Sequence, residues 1–214
     1  ILSNAQTADK KWGVGLHFGT IQYQGDYGSE FFKYKDAHAA GMLSLSRYIT
    51  PFIDVEGNLS GGLLDYTWND ANNLHQAFEG QLINLELLFK YKFNNGKLLK
   101  ENSRLAPYLF LGLGDGIYKN KNFFPNGDNT TSNFPMGGGL KINLTERVAI
   151  DLRLNYHYTL TEFYDGLYPR NSHWNDQFLT STAGVVFNID KKDTDKDGVR
   201  DKLDFCANTP RQVM

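Results

Sequence analysis

With 214 residues, 22 basic and 24 acidic side chains and a formal charge of −2, the chain has room for one barrel-sized domain plus an appendage, and its balanced charge argues against a nucleic-acid partner. Aromatic residues make up 14% and glycine contributes 21 against 6 prolines, which suits long strands with close backbone approaches and is foreign to a helical bundle. Polar residues interrupt every apolar run before the roughly 18 to 20 residues that a transmembrane helix needs, so a helical span is excluded.

The opening Ile1-Leu2-Ser3-Asn4-Ala5-Gln6 reads in two ways. It is either the end of a signal peptide, with small Ser3 and Ala5 where a peptidase reads, or an ordinary polar terminus. Residues 1–10 are accordingly set apart from the domain that follows, a β-barrel over residues 11–190.

Two-faced strands are expected at 12–23 and 37–48. In the third, Ile53, Val55, Leu59 and Leu63 alternate with Asp54, Glu56, Asn58 and Ser60; in the fourth, Ile83, Leu85, Leu87, Phe89 and Tyr91 alternate with Asn84, Glu86, Lys90 and Lys92. Weaker alternation marks 105–118 and 134–145. The clearest period of two runs over 148–160, where Val148, Ile150, Leu152, Leu154, Tyr156, Tyr158 and Leu160 interleave with Ala149, Asp151, Arg153, Asn155, His157 and Thr159. A last strand at 178–189 brings the total to eight, an even number. Several exceed the usual globular length of about five or six residues and match the roughly 9 to 11 of a tilted membrane-crossing strand.

The connections alternate. Residues 49–51 and 145–147 are tight, whereas 24–36, 65–75, 119–133 and 163–175 are long and polar. Short turns at one end and long loops at the other is the outer-membrane arrangement. The connection 94–104 is longer than that rule expects for the short-turn end and is read as a protruding hairpin.

The polar stripe carries Asp54, Glu56, Glu86, Lys90, Lys141, Asp151 and Arg153 with Gly13, Gly15, Gly112, Gly114, Gly137 and Gly139, a mixture suited to a narrow lumen filled by paired charges. A soluble lipocalin-like barrel has the same alternation with the stripe reversed, so other features must choose between them. Tyr23, Tyr48, Phe52, Tyr66, Trp68, Phe93, Tyr118, Phe163, Tyr164 and Phe187 fall where strands should meet headgroups, as interfacial rings do.

No catalysis is expected. His157, Asp151, Ser44 and Ser60 sit on polar faces, but strand spacing gives no reason for them to meet, and His17, His38, His75 and His173 lack metal-ligand spacing. Loop aromatics Phe123, Phe124, Tyr164, Tyr168 and Trp174 are candidate anchors for other outer-membrane proteins, or they pack on one another.

Residues 191–214 form a tail with one strong motif. Asp193, Asp195, Asp197, Asp201 and Asp204 fall at positions 1, 3, 5, 9 and 12 of a loop, with Gly198 at position 6 and the carbonyl of Val199 at 7. That spacing wraps oxygens around one Ca²⁺, the glycine permitting the sharp turn. Asp204 stands where an EF-hand has glutamate, and no helical pattern flanks the loop.

The run DTDKDGVRDKLDFCANTP over 193–210 resembles a thrombospondin type 3 repeat of the kind that joins barrel to periplasmic domain in OmpA-family proteins, and the barrel segment, with APYLFLGLGDG over 106–116, resembles that family too. The resemblance implies an all-β fold, an eight-stranded antiparallel transmembrane barrel with a short irregular calcium-binding tail. It also implies a structural protein of the Gram-negative outer membrane, in contact with lipid and lipopolysaccharide, its linker in the periplasm and its hold on peptidoglycan provided by a domain beyond residue 214. Cys206 matches the repeat cysteine, whose partner would then lie downstream. The alternatives are a small-solute pore and an accessory subunit or receptor of a larger outer-membrane complex.

Overall fold

Period-two patterning becomes eight strands in a computed structural model that describes residues 11–24, 32, 37–69, 75–101, 103–120, 129–145, 147–160 and 177–189, without the side chains of 64–69, 75–79, 120 and 129. The strands are β1 (Trp12–Gln24), β2 (His38–Tyr48), β3 (Ile53–Asn69), β4 (His75–Lys92), β5 (Leu105–Asn120), β6 (Asn129–Asn143), β7 (Val148–Thr159) and β8 (Gln177–Ile189). Each pairs antiparallel with its sequence neighbour and β8 returns to β1, so the sheet closes and leaves no edge.

The register fixes the tilt. Stepping across the ladder from Trp12 through Arg47, Val55, Phe89, Leu111, Met136, Tyr156 and Leu179 returns to β1 at Gln22, a shear of 10 residues over eight strands. With ordinary strand rise and spacing this inclines the strands by about 40°, inside the usual range for a barrel whose interior side chains fill.

Burial decides which stripe points where. Outward lie Leu16, Phe18, Leu43, Leu59, Leu85, Leu111 and Phe187, and Leu111 is 66% exposed. Inward lie Asp54, Glu56, Glu86, Lys90, Asp151 and Arg153, and Asp151 is 0% exposed. A barrel dissolved in water would place these stripes the other way round, because a continuous apolar exterior and an ionic interior are each unfavourable there. The lipocalin-like reading therefore gives way to the outer-membrane type of barrel.

The tight turns share one device. Thr50 Oγ1 accepts from the amides of Phe52 and Ile53, and Thr145 Oγ1 accepts from the amides of Arg147 and Val148, so a threonine hydroxyl stands in for a turn acceptor at both bends. The longer connection 94–104 is held from within. Asn95 Oδ1 accepts from the Lys97 and Leu98 amides, Asn95 Nδ2 donates to the Lys92 carbonyl, and Gly96 supplies a φ of 80° that a side chain would resist.

Two expectations are corrected. The segment 65–75 is mostly strand, since the β3–β4 ladder continues from Asp65 opposite Glu79 to Asn69 opposite His75; likewise β6 begins at Asn129, inside the expected loop 119–133. Backbone pairing does not require a two-faced sequence once the hairpin extends past the apolar band, so alternation under-reads it. Tyr23 and Tyr118 point inward, 2% and 1% exposed, not toward headgroups. Tyr48, Phe52 and Phe93 are half-buried at the short-turn end and Phe187 is exposed, whereas Phe163, Tyr164 and the side chains of Tyr66 and Trp68 lie outside the described residues.

Candidate functional site

The inward stripes build a layered filling. At the short-turn end Lys92 Nζ donates to Asp54 Oδ1 at 2.6 Å and stands 4.2 Å from the Tyr48 ring centre. One layer up, Lys90 Nζ donates to Glu56 Oε2 at 2.8 Å and lies 4.0 Å over Tyr108. Arg153 stands at the centre. Its Nη1 pairs with Glu56 Oε1 at 2.7 Å, its Nη2 donates to Asp151 Oδ2 at 3.0 Å and its Nε to Tyr108 Oη at 3.1 Å, while Tyr108 Oη donates to Asp151 Oδ1 at 2.7 Å.

Glycines across the ladder make room for these rings. A Cβ added to Gly139 would collide with the Tyr108 ring, and one added to Gly184 with the His17 ring, so a methyl at either place displaces a lumen side chain. His17 Nε2 lies 3.1 Å from Ser44 Oγ.

Above this lattice sits an amide cage around Glu86. Asn84 and Asn58 donate to its two oxygens at 2.7 and 3.1 Å, Asn155 donates at 3.5 Å, and Asn133 in turn donates to Asn84 at 2.8 Å. His157 Nδ1 is 3.1 Å from Glu86 Oε1 without hydrogen-bond alignment, and its Nε2 is 3.3 Å from Thr180 Oγ1.

The long-loop end is closed by apolar packing. Ile21, Tyr23, Leu82, Tyr118 and Phe178 form one buried cluster, with Ala40 against it, and Phe178 stacks on His157 with ring centres 3.9 Å apart. Tyr118 lies over Gly80, where a Cβ would collide with the phenol. A polar lattice thus lies beneath an apolar plug, and a cavity of about 540 Å³ reaches the lattice at Glu86, Gly114 and Asn133 from between β5 and β6.

Acid, imidazole and hydroxyl do stand in series at Glu86, His157 and Thr180, with His157 1% exposed and covered by Phe178. The residues weighed from sequence for catalysis are kept apart: Asp151 serves Arg153 and Tyr108, Ser44 faces His17, and Ser60 is half-buried elsewhere on β3. Among the described residues no group of three or more His, Cys, Asp or Glu is arranged to hold a metal.

Sequence reading placed the seven lumen charges on the correct face. It also set Lys92 on the polar face of the fourth strand, and it missed Tyr108 and the plug as parts of the filling, although Ile21 and Tyr23 share the parity of Gly13 and Gly15. The expected calcium ligands Asp193, Asp195, Asp197, Val199, Asp201 and Asp204, with Cys206 and the loop aromatics Phe123, Phe124, Tyr164, Tyr168 and Trp174, lie outside the described residues.

A family model described as a domain of unknown function, DUF6089, matches residues 1–187. No match is found among curated proteins. Among solved structures, Neisserial surface protein A is similar at a TM-score of 0.54 and 14% identity, over 83% of this chain and 97% of that one. OprG, an outer membrane protein from Pseudomonas aeruginosa, is similar at 0.54 and 10%, over 86% and 98%. Ail, the attachment invasion locus protein of Yersinia pestis, is similar at 0.50 and 14%, over 84% and 98%. At such identities the likeness is one of fold: an eight-stranded barrel of the outer-membrane type.

Proposed function

The chain belongs to the DUF6089 family, and from that premise we propose that it is a closed, non-catalytic barrel of the Gram-negative outer membrane, a structural part of the envelope. The observation that carries this reading is the inversion of the barrel: exposed Leu, Phe and Ile outside, and acids and bases buried in mutual contact inside. A stripe of that kind is stable against acyl chains. Lipid and lipopolysaccharide are thus its first partners.

Both chain ends of the barrel, at Trp12 and Ile189, lie at the short-turn end, which is the periplasmic end in outer-membrane barrels. The acidic tail then begins in the periplasm. There the Asp193, Asp195, Asp197, Val199, Asp201 and Asp204 loop would hold Ca²⁺ and stiffen a linker toward peptidoglycan, a role carried by its spacing and its resemblance to a thrombospondin type 3 repeat.

A pore is disfavoured by the packed filling. Planar-bilayer recording of the purified full chain separates the readings: the envelope reading expects no stepwise conductance, and regular conducting steps would overturn it in favour of a small-solute pore.

A further inference from the structure

The filling is not electrically even along the barrel axis. In the half nearer the short turns, Asp54, Glu56 and Asp151 face Lys90, Lys92, Lys141 and Arg153, three acids to four bases. The remaining described inward acid, Glu86, sits a layer away inside its amide cage beside His157. Glu101, on the turn beyond, is exposed and screened by solvent.

Three of the four bases are engaged: Lys92 by Asp54, Lys90 by Glu56, and Arg153 by Glu56 and Asp151. Lys141 is 7% exposed and feels Asp151, Lys90 and Lys92 through space, with no ion pair within 4 Å among the described residues. It stands across the ladder from Asp151, whose carboxylate accepts from Tyr108 and Arg153. A cavity of about 20 Å³ opens beside it, lined also by Asp54, Lys90, Lys92 and Tyr108.

An ammonium group has three donors and no acceptor, so one that meets no protein acceptor takes its partners from whatever fills the space beside it. The cavity is the size of one water-sized occupant. We propose that it binds a single small monovalent anion, of halide size, against the Lys141 ammonium, which evens the charge of this half of the lumen. The inference stands on the lumen geometry alone and does not depend on whether the barrel conducts.

Two measurements on the refolded full chain test it. In crystals grown with bromide, the wild type shows an anomalous peak beside Lys141, whereas density carrying no anomalous signal means water and overturns the proposal. In the second, half-unfolding temperature is followed as chloride replaces gluconate at constant ionic strength. The wild type gains stability with chloride and Lys141→Met loses that dependence, because ligand binding to the folded form alone stabilises it. A flat wild-type response, or an equal rise in both proteins, overturns the proposal. The bromide experiment needs no variant, so a Lys141→Met chain that fails to fold leaves the question decidable.

Discussion

Arg153 on β7 and Glu56 on β3 meet at 2.7 Å across the middle of the barrel, joining strands that share no ladder. Both side chains are almost wholly buried, and each has a second partner of opposite sign, Asp151 for the arginine and Lys90 for the glutamate. Removing one member of such a pair leaves charge stranded, and is expected to destabilise by about 3–5 kcal/mol. Arg153→Met, and more so Arg153→Glu, should therefore lower the temperature at which the compact band converts on heat-modifiability gels. Adding Glu56→Gln to Arg153→Met should recover part of the loss; unchanged conversion in both single variants would contradict the lattice.

The exterior gives the opposite sign of dependence. Leu111, near the centre of β5 and directed outward, touches lipid in this account. Leu111→Arg should destabilise the folded chain in bilayers by about 2–4 kcal/mol in urea titrations. A neutral result would mean that this face does not meet hydrocarbon.

The plug at the long-loop end and the ionic lattice are separate layers of the filling. Phe178→Ala with Tyr118→Ala removes two rings from the cluster and should lower stability by several kcal/mol, at about 3–5 for each large ring. Because the Glu86 cage and the Arg153 layer remain below, single-channel recording of the double variant should still show no steps. Immediate conduction would make the plug the sole barrier.

Replacing Asp195 and Asp197 by Ala should abolish calcium uptake by the tail and leave barrel unfolding unchanged, since the loop supplies its own ligands. Calorimetric titration reads this directly; undiminished uptake would place the ion elsewhere.

How far the fold was legible follows from where the sequence has two unlike faces. Residues 148–160 alternate without fault, and β7 stands within a residue of that reading. β5 reads LAPYLFLGLGDGIYKN, apolar on both faces, so nothing in its hydropathy says that Tyr108 and Phe110 turn inward while Leu109 and Leu111 turn outward. The glycines decide: Gly112 and Gly114 share parity with Tyr108 and Tyr118, and small residues belong to the crowded side. The same count by twos from Gly13 reaches Tyr23, which was instead expected among headgroup rings because it ends a strand. Partner choice was not legible at all. Arg153 could have met several inward acids, and only the shear sets Glu56 opposite it.

The central claim is that the apolar stripe meets acyl chains. Its most direct test is collision accessibility of a nitroxide placed at Leu85 or Leu111 in a Cys206→Ser background, in lipid vesicles. The account predicts frequent collision with dissolved oxygen and almost none with a water-soluble nickel chelate at both positions. Ready collision with the chelate at either would contradict it.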